Sequence, residues 1–294
     1  MERSELLLRC GETGHGNYRT DLSPETARWS WSGLKILVLP AGAVEETSSG
    51  PDEVIVLPLA GSCEVVISET KYLLRGRDSV FTALSDFLYI PRNASFSVSS
   101  KLGGRFALAT ARASTDRTVS YWPVRAVNSE LRGGGSNSRQ VNNYSIGNEL
   151  ETDHLLVCEV LTPGGCWSSY PPHKHDEHSM TERELEEIYY FEIGEGPASV
   201  SRGFGTFTTY GTPSRPLLVQ ECVFDGDIAL VPHGYHGPCA AAPGYDMYYL
   251  NVMAGPAEDR SWKVSFDPDH DWVRDSMAKI PLDPRLPMTQ LSDE

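Results

Sequence analysis

Apolar residues in this chain recur in short β-like runs separated by Gly, Pro, Asn and Asp, and helical spacing is scarce. Leu34–Pro40, Glu53–Ala60, Cys63–Ser68, Phe87–Pro91 and Ser95–Ser99 are such runs in the first half. Leu156–Leu161, Glu187–Ile193, Leu217–Phe224, Asp227–Pro232 and Met247–Met253 are their counterparts in the second. Short strands with turn residues about every 8–12 positions predict an all-β sandwich or barrel rather than a helix-covered sheet. Thr181–Glu186 reads as one helical turn and Ala278 onward as an irregular tail.

At 294 residues the chain is long enough for one large β domain or two ordinary ones. A Gly-rich break at Arg132–Arg139 reads as a flexible interdomain linker. The alternative is a loop carrying Arg132 or Arg139 toward a site. The division expected is residues 1–140 and 141–294. An internal echo supports duplication: Asp86-Phe-Leu-Tyr-Ile-Pro91 resembles Asp227-Ile-Ala-Leu-Val-Pro232. Ser95 and Phe96 follow the first copy where His236 follows the second.

The formal net charge of −15 argues against nucleic acid and anionic membrane surfaces. No run approaches the roughly 18 apolar residues of a membrane helix. The first ten residues lack the basic and apolar segments of a signal peptide. Six scattered cysteines without a close pair do not read as a disulfide framework. A cytoplasmic, reduced location is expected.

Five of the eight histidines lie between residues 173 and 236. His173 and His175, two apart on a strand, project to one side and can grip one ion. Glu187 and His236 complete a set of three imidazoles and one carboxylate, which suits Zn, Mn, Fe or Ni and leaves room for water or substrate. Glu186 competes as the carboxylate. Period two groups Glu187 with Tyr189, Phe191 and Ile193, an interior set, and Glu186 with Ile188, Tyr190 and Glu192, a face expected to meet water or a partner. His178, in an acidic loop, is expected to be exposed, and His233 is a candidate proton carrier or a turn residue.

Glu187-Ile-Tyr-Tyr-Phe-Glu-Ile-Gly194 and Gly226-Asp-Ile-Ala-Leu-Val-Pro232-x-Gly234-x-His236 resemble the paired motifs of the cupin superfamily. Departures are a long 176–186 loop, one residue between Gly234 and His236, and the displaced Gly164 and Gly165. Tyr170-Pro-Pro-His-Lys-His-Asp176, Val231-Pro-His-Gly-Tyr-His236, Pro243–Gly255, Arg260-Ser-Trp262 and Asp267–Trp272 resemble the 5-deoxy-glucuronate isomerases of myo-inositol catabolism. Position 233 has His where that family's pattern leads one to expect Arg.

The resemblance implies a bicupin, two jelly-roll barrels in tandem, with metal only in the second. It implies an aldose–ketose isomerase making 2-deoxy-5-keto-D-gluconate, with one divalent ion, zinc first, on His173, His175, Glu187 and His236. Such a reaction needs a Lewis acid at the carbonyl and a base that moves a carbon-bound proton. His233, Glu192 and Tyr249 are the candidates for that base, with Glu187 a fourth. Arg202 and Arg139 are candidates for the substrate carboxylate, and Tyr189 for its hydroxyls. Lys174 is expected to face outward. The partner implied is a small sugar acid, with no nucleic acid and no membrane; a homo-oligomer is left open. The rivals are a ketodeoxyuronate isomerase, a cupin dioxygenase and a non-catalytic storage bicupin.

Overall fold

The computed structural model describes residues 5–196 and 202–290. Strands dominate it, and its α-helices, Pro24–Ala27 and Val273–Met277, are short. Among the described residues no helix is long and apolar enough to cross a membrane. The Thr181–Glu186 turn is not helical: the 176–185 loop is held instead by Glu182, whose carboxylate accepts from the backbone of Asp176 and Glu177 and from Lys174.

Each half of the chain builds one large sheet with the same order. In the first half Phe87–Ile90, Asp52–Ile67, Gly104–Arg112 and Ser32–Leu39 lie side by side. In the second, Ile228–Val231, Glu186–Ile193, Met247–Ala254 and Leu156–Thr162 repeat that arrangement. The registers Val54↔Ile90 and Glu187↔Val231 correspond, so the Asp86/Asp227 echo marks equivalent strands. The expected strands 53–60 and 63–68 are one, Asp52–Ile67, whose register shifts near Pro58–Cys63 let it serve two sheets. Gly61, at φ +86° and against the Gly103 carbonyl, makes that bend.

A smaller sheet faces each large one. Val44–Ser48, Ser95–Ser99, the end of Asp52–Ile67 and Thr70–Arg77 form it in the first half. Arg215–Val223, Gly205–Thr212, Tyr235–Ala241, His173–Lys174 and Ser265–Phe266 form it in the second. Apolar cores fill both barrels. A third core lies between the two large sheets, where Ile55, Leu57 and Ala109 meet Ile188, Tyr190 and Val252. The face carrying Glu186 therefore meets the other barrel rather than water. Glu186 accepts the backbone N–H groups of Ser30, Trp31 and Ser32. Glu53, at the equivalent place, accepts those of Asp153, His154 and Leu155. The two carboxylates are matching ties from each barrel to the other.

The Gly-rich stretch is not a linker between barrels. Asn128–Arg132 and Arg139–Asn143 pair as a hairpin in the second large sheet, and residues 133–138 are its turn. The chain changes sheets earlier, between Ser120–Trp122 of the first and Asn128 of the second. Leu7–Leu8 crosses back to cover the Ile228–Val231 edge of the second sheet. The described part of the tail is strapped down. Gln140 bonds Thr289 and the backbone of Met288, and Ser138 accepts from Asp283.

Candidate metal centre and its cavity

Three strands and a connecting segment deliver the predicted ligands to one place. Glu187 heads the Glu186–Ile193 strand, and alternation turns it inward with Tyr189 and Phe191. His173 sits opposite His236 in register, and His175 follows two residues on. The ligand atoms of the three histidines lie within 4.8 Å of one another. Glu187 Oε2 stands 3.0 Å from both His175 Nε2 and His236 Nε2. The His236 approach lacks hydrogen-bond alignment, so this buried nitrogen has no hydrogen-bond partner among the described residues.

An unsatisfied buried nitrogen is costly in a purely protein setting, and an ion among these lone pairs removes that cost. The outer nitrogens are oriented for it: His175 Nδ1 bonds the Leu185 carbonyl, and His236 Nδ1 lies 3.3 Å from the Gly234 carbonyl. Burial opposes the charge on Glu187, but His236 and His175 outweigh it and hold the carboxyl well below the usual range. Burial, with His236 and His175 alongside, holds His173 neutral. The donor set thus fits a divalent ion. Among the described residues it is the only such cluster of three or more. In the first barrel, Val54 occupies the place of Glu187 and Ser95 that of His236.

Two members of the cluster, His173 and Glu187, line a cavity of about 240 Å³. Arg139 and Arg132 line another part, from the hairpin. Arg132 is paired with Glu130, whereas Arg139 donates only to the Asn137 carbonyl and has no carboxylate among the described residues. Burial, with Arg132 near, pulls Arg139 down to about 10. Tyr189 and Tyr249 also line the cavity, and burial pushes both phenols well up, so they remain protonated donors.

Other expected residues stand elsewhere. Glu192 lies on the opposite face of its strand, in a two-pronged pair with Arg105 at 2.9 and 2.6 Å, so it is not a base for this cavity. Arg202 stacks on Phe224 at 3.8 Å, outside the cavity lining. His233 is beyond it too, near Arg215 and Asp176. His178 is exposed. Lys174 points away from the ligands but is buried, not outward, among Asp176 and Glu182.

Residue-by-residue reasoning missed Asn251, whose Nδ2 donates to Glu187 Oε1 at 2.5 Å. Its signal was one amide inside the apolar strand Met247–Ala254, in phase with Tyr249. Ser169 and Trp262, also cavity-lining, carried no signal of that kind.

The chain matches the model of the KduI/IolB family over residues 6–273. It is 37% identical over 276 residues to a 5-deoxy-glucuronate isomerase of Geobacillus kaustophilus, covering 93% of this chain and 96% of that protein. A 5-deoxy-glucuronate isomerase of Bacillus subtilis strain 168 is 34% identical over 243 residues, 82% of this chain and 86% of the relative. The crystal structure of an IolB-like protein from Salmonella typhimurium superposes with a TM-score of 0.83 at 30% identity, covering 92% and 99% of the two chains. A Bacillus subtilis oxalate decarboxylase variant shares the fold alone, at TM-score 0.61 and 11% identity over 90% of this chain and 80% of its own. The architecture is the tandem jelly-roll bicupin.

Proposed function

This chain belongs to the KduI/IolB family, and from that premise we propose that it is a 5-deoxy-glucuronate isomerase of inositol catabolism, converting the aldehyde to 2-deoxy-5-keto-D-gluconate. The observation that carries the reading is one cavity lined both by His173 and Glu187 of the four-residue cluster and by Arg139, which has no carboxylate partner among the described residues. A sugar acid has the matching ends: a carbonyl beside a hydroxyl, and a carboxylate. The curated relatives that cover most of this chain carry the same activity in their names.

One divalent ion, zinc first and Mn, Fe or Ni on the same donors, would sit on His173, His175, Glu187 and His236. When bound it supplies Lewis acidity toward the aldehyde oxygen. The chain does the rest. Arg139, seconded by Arg132, grips the substrate carboxylate with charge-assisted hydrogen bonds and fixes which end enters first. Tyr189 and Tyr249 donate to sugar oxygens. Val141, Val160 and Val264 in the lining exclude water from the reacting carbons. Among the described residues Glu187 is the only carboxylate lining the cavity, and the carbon-bound proton is assigned to its Oε1, the oxygen that Asn251 positions.

The test is turnover of 5-deoxy-glucuronate against a ketodeoxyuronate, both without oxygen. The reading expects kcat/KM for the first to exceed the second by at least about 100-fold, the discrimination that misplacing one charge-paired carboxylate supplies. Preference for the ketodeoxyuronate, or a strict need for oxygen, overturns it.

A further inference from the structure

Three side-chain hydroxyls converge in the cavity. Ser169 Oγ lies 3.3 Å from Tyr189 Oη and 3.0 Å from Tyr249 Oη, and in both contacts either oxygen can be the donor. All three residues line the cavity beside His173 and Glu187. The chain is bent to put Ser169 there. Its φ of 47° lies in the left-handed region that residues with a Cβ rarely adopt. Its carbonyl oxygen rests against Gly237, where a Cβ would stand 1.7 Å away. Backbone strain at a cavity wall is a pointer to function when the side chain it aims has partners inside.

We propose that Ser169 is a proton-relay residue, acting through Tyr189 and Tyr249, which links the two substrate oxygens that exchange roles in the isomerisation. The inference rests on the isomerase reading. On the carbon side one proton leaves C2 and one arrives at C1. On the oxygen side the C2 hydroxyl must lose a proton while the C1 carbonyl oxygen gains one. One tyrosine gives its proton to the C1 oxygen and is refilled from Ser169. Ser169 is refilled from the second tyrosine, which takes the proton of the C2 hydroxyl. Every hydroxyl ends as it began, so the shift needs no oxidant, reductant or outside acid. An open-ended hydrogen-bond direction at both contacts is the arrangement such a shift requires.

The test uses Ser169→Gly, Tyr249→Phe, Tyr189→Phe and the double variant Ser169→Gly/Tyr249→Phe in the full-length metal-loaded protein. Glycine suits φ 47°, so the hydroxyl is lost without straining the fold. Each single change is expected to lower kcat about 100-fold, the low end of what positioned proton transfer contributes. In Ser169→Gly, which removes no donor to the sugar, KM should stay within about 3-fold, and bound metal should be unchanged in every variant. The double variant should be no slower than its slower parent, because a chain is broken once. In mixed light and heavy water the wild type should show a curved, multi-proton dependence that Ser169→Gly makes linear. Wild-type turnover with Ser169→Gly within about 3-fold of it overturns the relay and leaves the isomerase standing; multiplicative losses in the double variant do the same. Wild type that cannot isomerise 5-deoxy-glucuronate at all overturns both.

Discussion

Glu187 illustrates how one side chain can be divided between two tasks. Its Oε2 faces two imidazoles at 3.0 Å, and its Oε1 accepts from Asn251. Asn251→Leu removes the donor and leaves the carboxylate in place. We expect metal affinity to fall about 10–100-fold, the usual cost of losing a partner behind a ligand. Titration with a competing chelator measures it, and unchanged affinity would show that Asn251 is only packing. Arg139 is the second decisive residue. Arg139→Leu deletes the two charge-assisted hydrogen bonds proposed to the substrate carboxylate, worth about 3 kcal/mol together, or somewhat over 100-fold in kcat/KM. The melting temperature should not fall, because no carboxylate among the described residues loses a partner. The proposed metal-binding cluster was legible because imidazoles two apart, a carboxylate and a later histidine form a pattern in one dimension. Ser169 was not, since a serine's φ and its tyrosine partners belong to the fold.

At the scale of the element, the Glu186–Ile193 strand carries one chemistry on each face. Odd positions build the cavity and even positions tie the two barrels together. Alternation was readable in the sequence and separated Glu187 from Glu186. What lay opposite the even face was not, because Glu192 looks like any solvated acid until Arg105, 87 residues away, is placed beside it. Glu186→Ala strands three backbone N–H groups and Glu192→Ala a half-buried guanidinium. Each should cost about 2–3 kcal/mol in denaturant unfolding while bound metal stays at wild-type level. Loss of metal in either would contradict the two-faced strand. The 133–138 turn shows the opposite failure: Gly-rich composition suggested a linker, yet three glycines there pack against other backbone or serve a tight turn.

Over the whole molecule, two barrels with the same strand order press their large sheets together, and among the described residues only the second carries a cluster of three or more side chains able to hold a metal. The sheet order follows from pairings between distant segments, such as Leu7 with Ala229, that no local periodicity announces. Between the two halves of the chain Arg77 and Glu159, neither exposed to solvent, meet in a two-pronged pair at 3.0 and 2.8 Å. Arg77→Met leaves Glu159 charged and buried, and is expected to cost about 3–5 kcal/mol. A single denaturant transition that shifts as a unit would show the barrels unfolding together; an unshifted midpoint would deny the pair its role.

On this account His173, His175, Glu187 and His236 of the second barrel are proposed to hold one ion beside a cavity that Arg139 also lines. The most direct measurement is turnover of 5-deoxy-glucuronate by protein stripped with a chelator and then titrated with divalent metal. Activity should vanish on stripping and return fully at one ion per chain, and His175→Ala should recover none of it. Full activity in the stripped protein, or in His175→Ala, would contradict the account.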